Sequence, residues 1–322
     1  DAAKVLRTLD DGPRSLADLE AATGVRRGRL EALLKILAID GVVAKDGSRW
    51  EATGTPYVHD TAKWDALART RRAEADLMRQ YAHGKGCLMA YLQTALDDPH
   101  PAPCGRCSVC TGELPAPGAQ PGTERLAAAR NYLRGEDIVL EPRKLWPSGV
   151  SRKGKIAGPV EGRAVAFADD PGWAAELLTM QRVGYGSIPP ELLAGAVAAL
   201  GRWRAVWPAR PVAVVAAPAF SVEAAANRAL AEHIGAVGKL PVLDLFHWRG
   251  PAAPTDVSSA PVVAHLEQAI ELRPDAAREL PSGPVLLCAT TMRTGWSLTV
   301  AAALLAEAGC PAVMPLVVHR LP

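Results

Sequence analysis

Apolar residues in the first part of the chain recur three times at helical spacing and then alternate. The pattern predicts a helix over residues 3–10 and a second helix that begins at the capping residue Ser15 and ends near Gly24. A third helix follows directly and ends before Gly41, after which VVAK and SRWEA predict a hairpin that turns at Asp46. The predicted order is three helices followed by a hairpin.

This order is typical of a winged helix, in which the third helix enters the major groove of DNA and the hairpin touches the backbone. Three arginines stand at the start of the third helix and are candidate DNA contacts: Arg26, Arg27 and Arg29. Winged helices also serve as protein-interaction or spacer modules with solvated basic faces, and the sequence leaves both roles open. We assign residues 1–59 to a winged-helix-like domain.

A longer amphipathic pattern between residues 60 and 82 predicts a long helix. Its polar side is rich in arginine, and Arg69, Arg72 and Arg79 are further candidate DNA contacts. Another helix follows it. We assign residues 60–112 to a second, helical domain.

Proline and glycine replace the apolar pattern after Thr111, in the stretch GELPAPGAQPGTE. Such a composition without periodicity is typical of a linker, which we place at residues 113–123. Over residues 124–322, short apolar runs alternate with Ala/Leu-rich helical stretches. The runs AVAFA, VAVVAA, PVLDLF, VLLC and AVMPLVV are spaced like the strands of a mostly parallel α/β sheet.

The composition agrees with a multidomain chain, because 322 residues of which 49% are hydrophobic can bury more than one core. Lys and Arg total 36 against 34 acids, so the net charge of +2 neither favours nor excludes a nucleic-acid partner. No apolar run reaches the roughly 18–20 residues of a membrane-spanning helix, and no signal-like segment opens the chain. We therefore expect a soluble cytoplasmic protein without a membrane partner, and we interpret the start at Asp1, close to a helical pattern, as a sign that the chain is a piece of a longer protein.

Four of the six cysteines form the pattern C-x16-C-x2-C-x2-C, namely Cys87, Cys104, Cys107 and Cys110. Four thiolates at such short spacings suit one tetrahedral structural zinc ion per chain, which leaves no ligand position for a reactant. The alternatives are disulfides, free thiols and an iron–sulfur cluster, although a cytoplasmic protein with a large core rarely needs disulfides. The other two, Cys288 and Cys310, fit as small core residues.

The stretch VLLCATTMRTGWSLT at residues 285–299 has the shape of a phosphate-binding loop, with an apolar strand, a turn and a helix. In such a loop, backbone N–H groups at the helix N-terminus and nearby hydroxyls wrap a phosphate. The candidate phosphate-binding residues are Arg293, Thr294, Gly295, Ser297 and Thr299. A plain strand-to-helix turn, in which Gly295 only meets a backbone constraint, is the alternative.

Two further clusters carry charge. Asp169-Asp170 follow a predicted strand, where they either hold a metal ion or, more simply, cap the next helix. Residues 141–158 place basic side chains around Trp146, which fits either a surface that binds a nucleic-acid strand or a mobile, solvated loop.

Residues 71–112, RRAEADLMRQYAHGKGCLMAYLQTALDDPHPAPCGRCSVCTG, resemble the zinc-binding module of RecQ-family DNA helicases, in which a long helix leads to the first cysteine and a CxxCxxC group follows. The part after the linker is similar to a phosphoribosyltransferase-type domain of the ComF kind. The combination resembles the RecQ-like helicases of the RqlH type, which are bacterial.

This resemblance implies an ATP-dependent 3′ to 5′ DNA helicase with a role in DNA repair, whose motor domains lie upstream of Asp1. ATP and Mg²⁺ would serve those motor domains, since this sequence contains no G-x-x-x-x-G-K-[ST] loop, and HGKG at residues 83–86 lacks the spacing and the preceding strand. The implied partners are DNA, as a single strand or a duplex junction, and the upstream helicase domains of the same polypeptide.

In phosphoribosyltransferases two adjacent acids bind the ribose hydroxyls directly or through magnesium, but Ala289 and Thr290 stand at those positions here. The resemblance therefore implies a degenerate, non-catalytic domain beside parts that contribute DNA binding and structural support. Two alternatives stay open, an active phosphoribosyltransferase and a DNA-binding transcription regulator.

Overall fold

The computed structural model of the chain describes residues 1–115, 118 and 120–322. It divides into two compact units, one formed by Asp1–Thr55 together with Arg130–Pro322 and the other by Pro56–Ala129. The N-terminal region thus shares a compact unit with the C-terminal region, although the sequence places it in a separate domain. Within the predicted linker, residues 116, 117 and 119 lie outside the described residues.

The N-terminal region folds into the three predicted helices and the predicted hairpin, with one additional short strand. Its elements are α1 (Ala2–Leu9), β1 (Arg14–Ser15), α2 (Leu16–Thr23), α3 (Arg27–Ile39), β2 (Val43–Asp46) and β3 (Arg49–Ala52). The ends of α2 follow from its caps, because the Ser15 hydroxyl and the Asp18 carboxylate each accept the other residue's N–H, and Gly24 ends the helix at φ +67°. Strand β3 pairs antiparallel with both β1 and β2.

The second unit is built on one long helix, α4 (Thr61–Ala82), whose N-terminus the Asp60 carboxylate caps by accepting from the Lys63 N–H. Every residue of α4 is described and none is buried. The unit also contains α5 (Leu88–Ala95) and α6 (Ser108–Thr111), and α7 (Thr123–Leu133) extends along the sequence into the first unit. No helix in the described part of the chain is long and apolar enough to cross a membrane.

The C-terminal region is a three-layer α/β structure. Its elements are β4 (Ile138–Leu140), β5 (Gly162–Phe167), α8 (Ala174–Arg182), α9 (Pro190–Trp203), β6 (Ala213–Ala216), α10 (Val222–Gly238), β7 (Val242–Leu243), β8 (Phe246–Trp248), α11 (Ser259–Ala269), β9 (Ile270–Leu272), α12 (Ala276–Glu279), β10 (Val285–Met292), α13 (Trp296–Glu307) and β11 (Val313–Arg320). The main sheet has the order β4-β5-β11-β10-β6-β7. Its strands run parallel except β4, which confirms the predicted mostly parallel sheet.

Both faces of this sheet are buried. Along β10, Val285 and Leu287 point into a core that includes α11 and α13, while Leu286 and Cys288 point into a second core that includes α8, α9 and α10. Strands covered on both faces read as continuous apolar runs, which is why the sequence reveals them. Ligands of such sheets bind outside the carboxyl ends of the strands, so that edge is where a site is expected.

Two strands differ from the prediction. The run PVLDLF was predicted as one strand, but it divides into β7, at the edge of the main sheet, and β8, which pairs antiparallel with β9 in a separate two-stranded sheet. Leu245 lies between them, is buried, and accepts a hydrogen bond from the Arg273 N–H at 2.8 Å. The sequence does not reveal where the chain leaves one sheet for another within an apolar run, because the run has no periodic pattern that changes at that point. The run VLLC is also longer than predicted, because β10 continues to Met292.

The N-terminal region packs on the α/β region through the turn between α2 and α3. The Ser258 N–H donates to the Gly24 carbonyl oxygen at 2.8 Å. Arg26, at the N-terminus of α3, donates from Nη2 to Asp256 Oδ1 at 3.1 Å and from Nε to the Val257 carbonyl oxygen at 3.3 Å. The first turn of the predicted DNA-reading helix therefore lies against the segment that precedes α11.

Candidate metal centre and candidate anion-binding loop

One cysteine at the start of α5 and the three cysteines of the CxxCxxC group lie close together in the second unit. Their ligand atoms all lie within 4.8 Å of one another, and the residues are Cys87, Cys104, Cys107 and Cys110. Cys87 is the N-cap of α5, and the other three lie just before and within α6. All six cysteines of the chain are free thiols in this structure.

Backbone N–H groups hold the sulfur atoms in place. The N–H groups of Ala90 and Cys104 donate to Cys87 Sγ at 3.4 and 3.2 Å, and the Cys107 N–H donates to Cys104 Sγ at 3.3 Å. The last of these contacts needs a tight turn, which Gly105 supplies at φ +66°. Each donor favours the thiolate over the thiol, so this backbone stabilises negative charge on the sulfur atoms.

Hydrogen bonds within the cluster shift the pKa values of two of its thiols in opposite directions. Hydrogen bonds from backbone N–H groups lower the pKa of Cys107 to about 6. The neighbouring Cys110 shows the opposite shift, because its hydrogen bond to Cys107 raises its pKa to about 11. Four thiolates cannot share so small a volume unless a positive ion compensates them.

The geometry fits one metal ion. A tetrahedral zinc ion with Zn–S bonds of about 2.3 Å separates its sulfur ligands by about 3.8 Å. Cys107 Sγ and Cys87 Sγ lie 3.9 Å apart. The four thiols are therefore close enough to bind one metal ion and are compatible with zinc, which would supply structural cross-linking only, because all four of its positions would be filled by protein.

The predicted phosphate-binding loop lies at the carboxyl edge of the main sheet, between β10 and α13. Gly295 adopts φ +77° as the N-cap of α13, and Arg293 and Thr294 are exposed beside it. Thr294 Oγ1 accepts from the Trp296 N–H at 3.5 Å. Thr299 is buried but lines the open cavity beside the loop, and its hydroxyl donates to the Gly295 carbonyl oxygen at 2.9 Å, which stabilises the first turn of α13. Ser297 is half-buried and lines a cavity beside the loop.

The two positions that lack acids lie inside β10, and both are buried. Ala289 lines a cavity of about 340 Å³. The Thr290 N–H donates to Asn227 Oδ1 at 2.6 Å, and Asn227 Nδ2 donates to the Ala217 carbonyl oxygen at 2.9 Å. An amide on α10 therefore ties the ends of two neighbouring strands together.

A carboxylate that the sequence analysis did not single out lies at the same edge. Glu223, in the first turn of α10, accepts a hydrogen bond from the Thr291 hydroxyl and lines the same cavity as Ala289. No local sequence pattern predicts this contact, because Glu223 and Thr291 of β10 are more than sixty residues apart in the chain. Burial raises the pKa of Glu223 above its ordinary value, against the opposing effect of the bonds from Thr291.

We expect Glu223→Gln to stabilise the fold near neutral pH and to lose that advantage in acid. The pKa of Glu223 is raised in the folded state, so its protonated carboxyl stabilises the fold fully when the pH is below the pKa of the unfolded state. This stabilisation is lost as the pH rises through the pKa of the folded state. Thermal melts between pH 4 and pH 8 should therefore show a difference in Tm that grows with pH. Glu232→Gln, at an exposed position on the same helix, is the control. A difference that does not change with pH would contradict the expectation.

The acidic pair after β5 does not cap a helix. Asp170 Oδ1 accepts from the Gly172 N–H at 2.8 Å and closes a turn, whereas the N-cap of α8 is Trp173, which makes no capping bond with its side chain. The expectation that Asp169 and Asp170 cap this helix was wrong, because the turn places the helix start three residues further on.

The basic segment at residues 141–158 is built into the fold. Arg143 lies over the ring of Trp296 at 4.1 Å, Trp296 stacks on Trp146 at 6.1 Å, and Arg152 lies over Trp146 at 5.3 Å. Arg152 is anchored further by Glu307, with Nη2 to Oε2 at 3.1 Å. Trp146 is therefore partly buried and packed between these side chains, and Arg143 Nη2 donates to the Thr294 carbonyl oxygen at 2.5 Å.

The six candidate DNA contacts occupy two surfaces. On α3, Arg26 pairs with Asp256, Arg27 with Glu31 at 3.2 Å, and Arg29 with Asp1 at 2.7 Å. On α4, Arg79 pairs with Asp76, and Arg69 and Arg72 are exposed. Exposed pairs of this kind contribute only ~0–1 kcal/mol, so they do not prevent an arginine from binding a phosphate.

Comparison with protein-family models, with curated proteins and with solved structures finds no match to this chain.

Proposed function

We propose that this chain is the C-terminal part of a RecQ-like DNA helicase of the RqlH type, which contributes DNA binding and structural support to motor domains elsewhere in the polypeptide. The observation that carries the proposal is the cluster of four thiols, Cys87, Cys104, Cys107 and Cys110, which follows a long exposed helix as it does in the RecQ zinc-binding module. The order of α1 to α3 and the β2–β3 hairpin also supports a winged-helix-like assignment of the N-terminal region.

In this proposal the metal is zinc and its role is mechanical. The ion fixes α5 and α6 against one another through thiolates from both, and α5 contacts α4 through Tyr91, whose hydroxyl donates to the Leu77 carbonyl oxygen at 3.0 Å. Zinc thereby supports the C-terminal part of α4, and the middle of the same helix presents Arg69 and Arg72 to solvent. A small unit that buries none of α4 needs such a cross-link, because its own core is slight.

We place the main DNA contact on α4 rather than on α3. The turn that leads into α3 packs against residues 256–258, through the bond from the Ser258 N–H to the Gly24 carbonyl oxygen and the bond from Arg26 Nε to the Val257 carbonyl oxygen, so the first turn of α3 is not free to enter a groove without a rearrangement. Arg69 and Arg72 meet no such obstacle within their own unit. The same contact at Arg26 is an argument against the alternative of a transcription regulator that reads duplex DNA with α3.

The α/β region acts in this proposal as a phosphoribosyltransferase-like binding or regulatory domain without transfer activity. Its parallel sheet and its loop of Arg293, Thr294 and Gly295 support the assignment. Ala289 and Thr290 supply no carboxylate. An active transferase remains the second candidate, and the observation that favours it is Glu223, which places a carboxylate in the cavity from another element.

DNA binding by α4 can be tested with the double variant Arg69→Ala, Arg72→Ala. We expect binding of single-stranded DNA and of duplex junctions to weaken uniformly across sequences, because these side chains would contact phosphates. Loss of two phosphate contacts should reduce the slope of log affinity against log salt concentration by about 2. The measurement is fluorescence anisotropy over a salt series. The double variant Arg182→Ala, Arg278→Ala, an equal loss of charge at exposed arginines of α8 and α12, is the control. An unchanged slope would remove α4 from the DNA-binding surface.

A further inference from the structure

An apolar cavity of about 800 Å³ lies at the amino end of the main sheet, opposite to the loop between β10 and α13. It is lined by Leu286 near the start of β10, by Leu240 just before β7, and by the turn at residues 204–211 that leads into β6. These three strands run parallel, so their amino ends lie at the same edge of the sheet. The cavity is therefore separated from the candidate anion-binding loop by the length of β10.

Two helices form opposite walls of this cavity with the same pattern of residues. Each wall presents two aliphatic residues that are three positions apart, followed directly by a glycine, and these spacings place all three on one helix face. The residues are Val197, Leu200 and Gly201 on α9 and Ile234, Val237 and Gly238 on α10. A Cβ atom added at Gly201 would meet no atom within 4 Å, so the absence of a side chain there leaves open space between the helices.

The charged side chains that line the cavity are Arg204 and Arg210, and both are exposed. Neither has an acidic partner in the described part of the chain. The nearby Arg202 differs, because its Nε donates to Asp137 Oδ2 at 3.0 Å. Uncompensated positive charge beside a concave apolar surface attracts an anion, and a planar guanidinium suits a carboxylate because it can donate two parallel hydrogen bonds.

A third wall of the cavity is aromatic. Trp207 is half-buried, and its ring meets that of Trp203 edge to face, with centroids 6.2 Å apart. This contact fixes the Trp207 ring as a rigid apolar surface. A concave site of several hundred Å³ with apolar walls and a few placed polar groups is the form that small-molecule sites take.

We infer that this cavity binds a small apolar carboxylate, whose hydrocarbon part lies between α9 and α10 and whose carboxylate group is bound by Arg204 and Arg210. Such a ligand would cover apolar surface that now faces water, including Val237, which is 55% exposed. Enclosure by two helices and a turn, rather than a flat apolar face, favours a small molecule over a protein partner. The inference goes beyond the helicase assignment and does not depend on it.

Calorimetric titration of the full chain tests for the ligand class with octanoate, 2-naphthoate and 1-octanol. Binding of octanoate identifies an aliphatic acid and binding of 2-naphthoate an aromatic one. We expect octanoate to bind about tenfold more tightly than 1-octanol, because the alcohol lacks the charge that the arginines recognise. Failure of both acids to bind at millimolar concentration overturns the inference, as does equal affinity for octanoate and 1-octanol.

The double variant Arg204→Ala, Arg210→Ala tests the recognition of the carboxylate. It should weaken binding of the acid by about tenfold or more and leave binding of 1-octanol unchanged, because it removes charge-assisted hydrogen bonds and no apolar wall. The matched control is Arg182→Ala, Arg278→Ala, an equal loss of charge at exposed positions outside the cavity. Unchanged affinity for the acid, or an equal loss for the alcohol, contradicts the site.

The variant Gly201→Leu tests the apolar part, since its side chain would extend the face of Val197 and Leu200 into the open space. Binding of the acid and of 1-octanol should both weaken by about tenfold or more, while the Tm stays the same or rises because a helical glycine is replaced. Ala194→Leu, at an exposed position two turns earlier on α9, is the control. Unchanged binding in Gly201→Leu places the ligand elsewhere and contradicts the inference.

Sedimentation of the wild type and of Gly201→Leu identifies a different occupant. A wild-type dimer that Gly201→Leu abolishes, in the absence of acid binding, would assign the cavity to a second copy of the chain and overturn the inference. The outcome is separate from that of the proposed function, because DNA binding through Arg69 and Arg72 of α4 is measured without any of these ligands and should be unchanged in Gly201→Leu.

Discussion

Replacing Cys107 with Ser should abolish stoichiometric zinc binding and unfold the second unit locally. Cys107 contacts two other cysteines of the cluster. Its N–H donates to Cys104 Sγ, and its Sγ lies 3.9 Å from Cys87 Sγ. Because the unfolded chain has no preformed site, the binding free energy of a structural zinc ion is folding free energy, about 10–16 kcal/mol in zinc-finger peptides. A serine hydroxyl is a far weaker zinc ligand than a thiolate, so most of this stabilisation should be lost.

Elemental analysis of the purified protein gives the measurement. We expect one zinc ion per chain in the wild type and a small residual fraction in Cys107→Ser, together with faster proteolysis within residues 56–129. Cys310→Ala is the matched control, since this buried cysteine lies in the α/β region and should leave the metal content unchanged. Iron in place of zinc would identify a cluster of the alternative kind, and a wild-type protein with no metal would contradict the proposed centre.

The local elements of this chain could be predicted because each leaves a short-range signal. Ser15 and Asp18, which are three residues apart, predict the start of α2, and the structure contains the capping box that they form. The CxxCxxC spacing likewise predicts a shared ion, and the four ligand atoms do converge. The parallel strands are evident because both faces of the sheet are buried, which makes each strand a continuous apolar run.

The candidate site beside β10 could be predicted only in part. Its loop is contiguous in sequence, and Gly295 occupies the left-handed conformation that the turn requires. Glu223 and Arg26 reach the same place from distant segments, so their contribution depends on packing that no local pattern encodes. The same holds for Trp146, which appears in the sequence as an exposed aromatic among charges but stacks on Trp296 in the core.

Incubation with phosphoribosyl pyrophosphate, magnesium and any common base should give no transfer above background. In a phosphoribosyltransferase the adjacent acids stabilise the ribosyl centre and its metal as positive charge develops, and such electrostatic support is often worth several kcal/mol, which is orders of magnitude in rate. Here Ala289 offers a methyl group to the cavity, and Thr290 uses its N–H to bind Asn227. Glu223 is engaged by Thr291 and sits where burial favours its protonated form, so it is a poor substitute for a pair of ionised carboxylates.

A single measurement of released pyrophosphate decides this expectation. Transfer that depends on magnesium would contradict it and would show that the acids have been replaced from elsewhere. Glu223→Gln and Asp169→Asn would then identify the replacement. Loss of transfer in Glu223→Gln alone would assign the role to α10, because Glu223 lines the cavity together with Arg293 and Thr294. Loss in Asp169→Asn alone would move the reacting centre toward the turn after β5, where Asp170 already accepts a bond from Gly172.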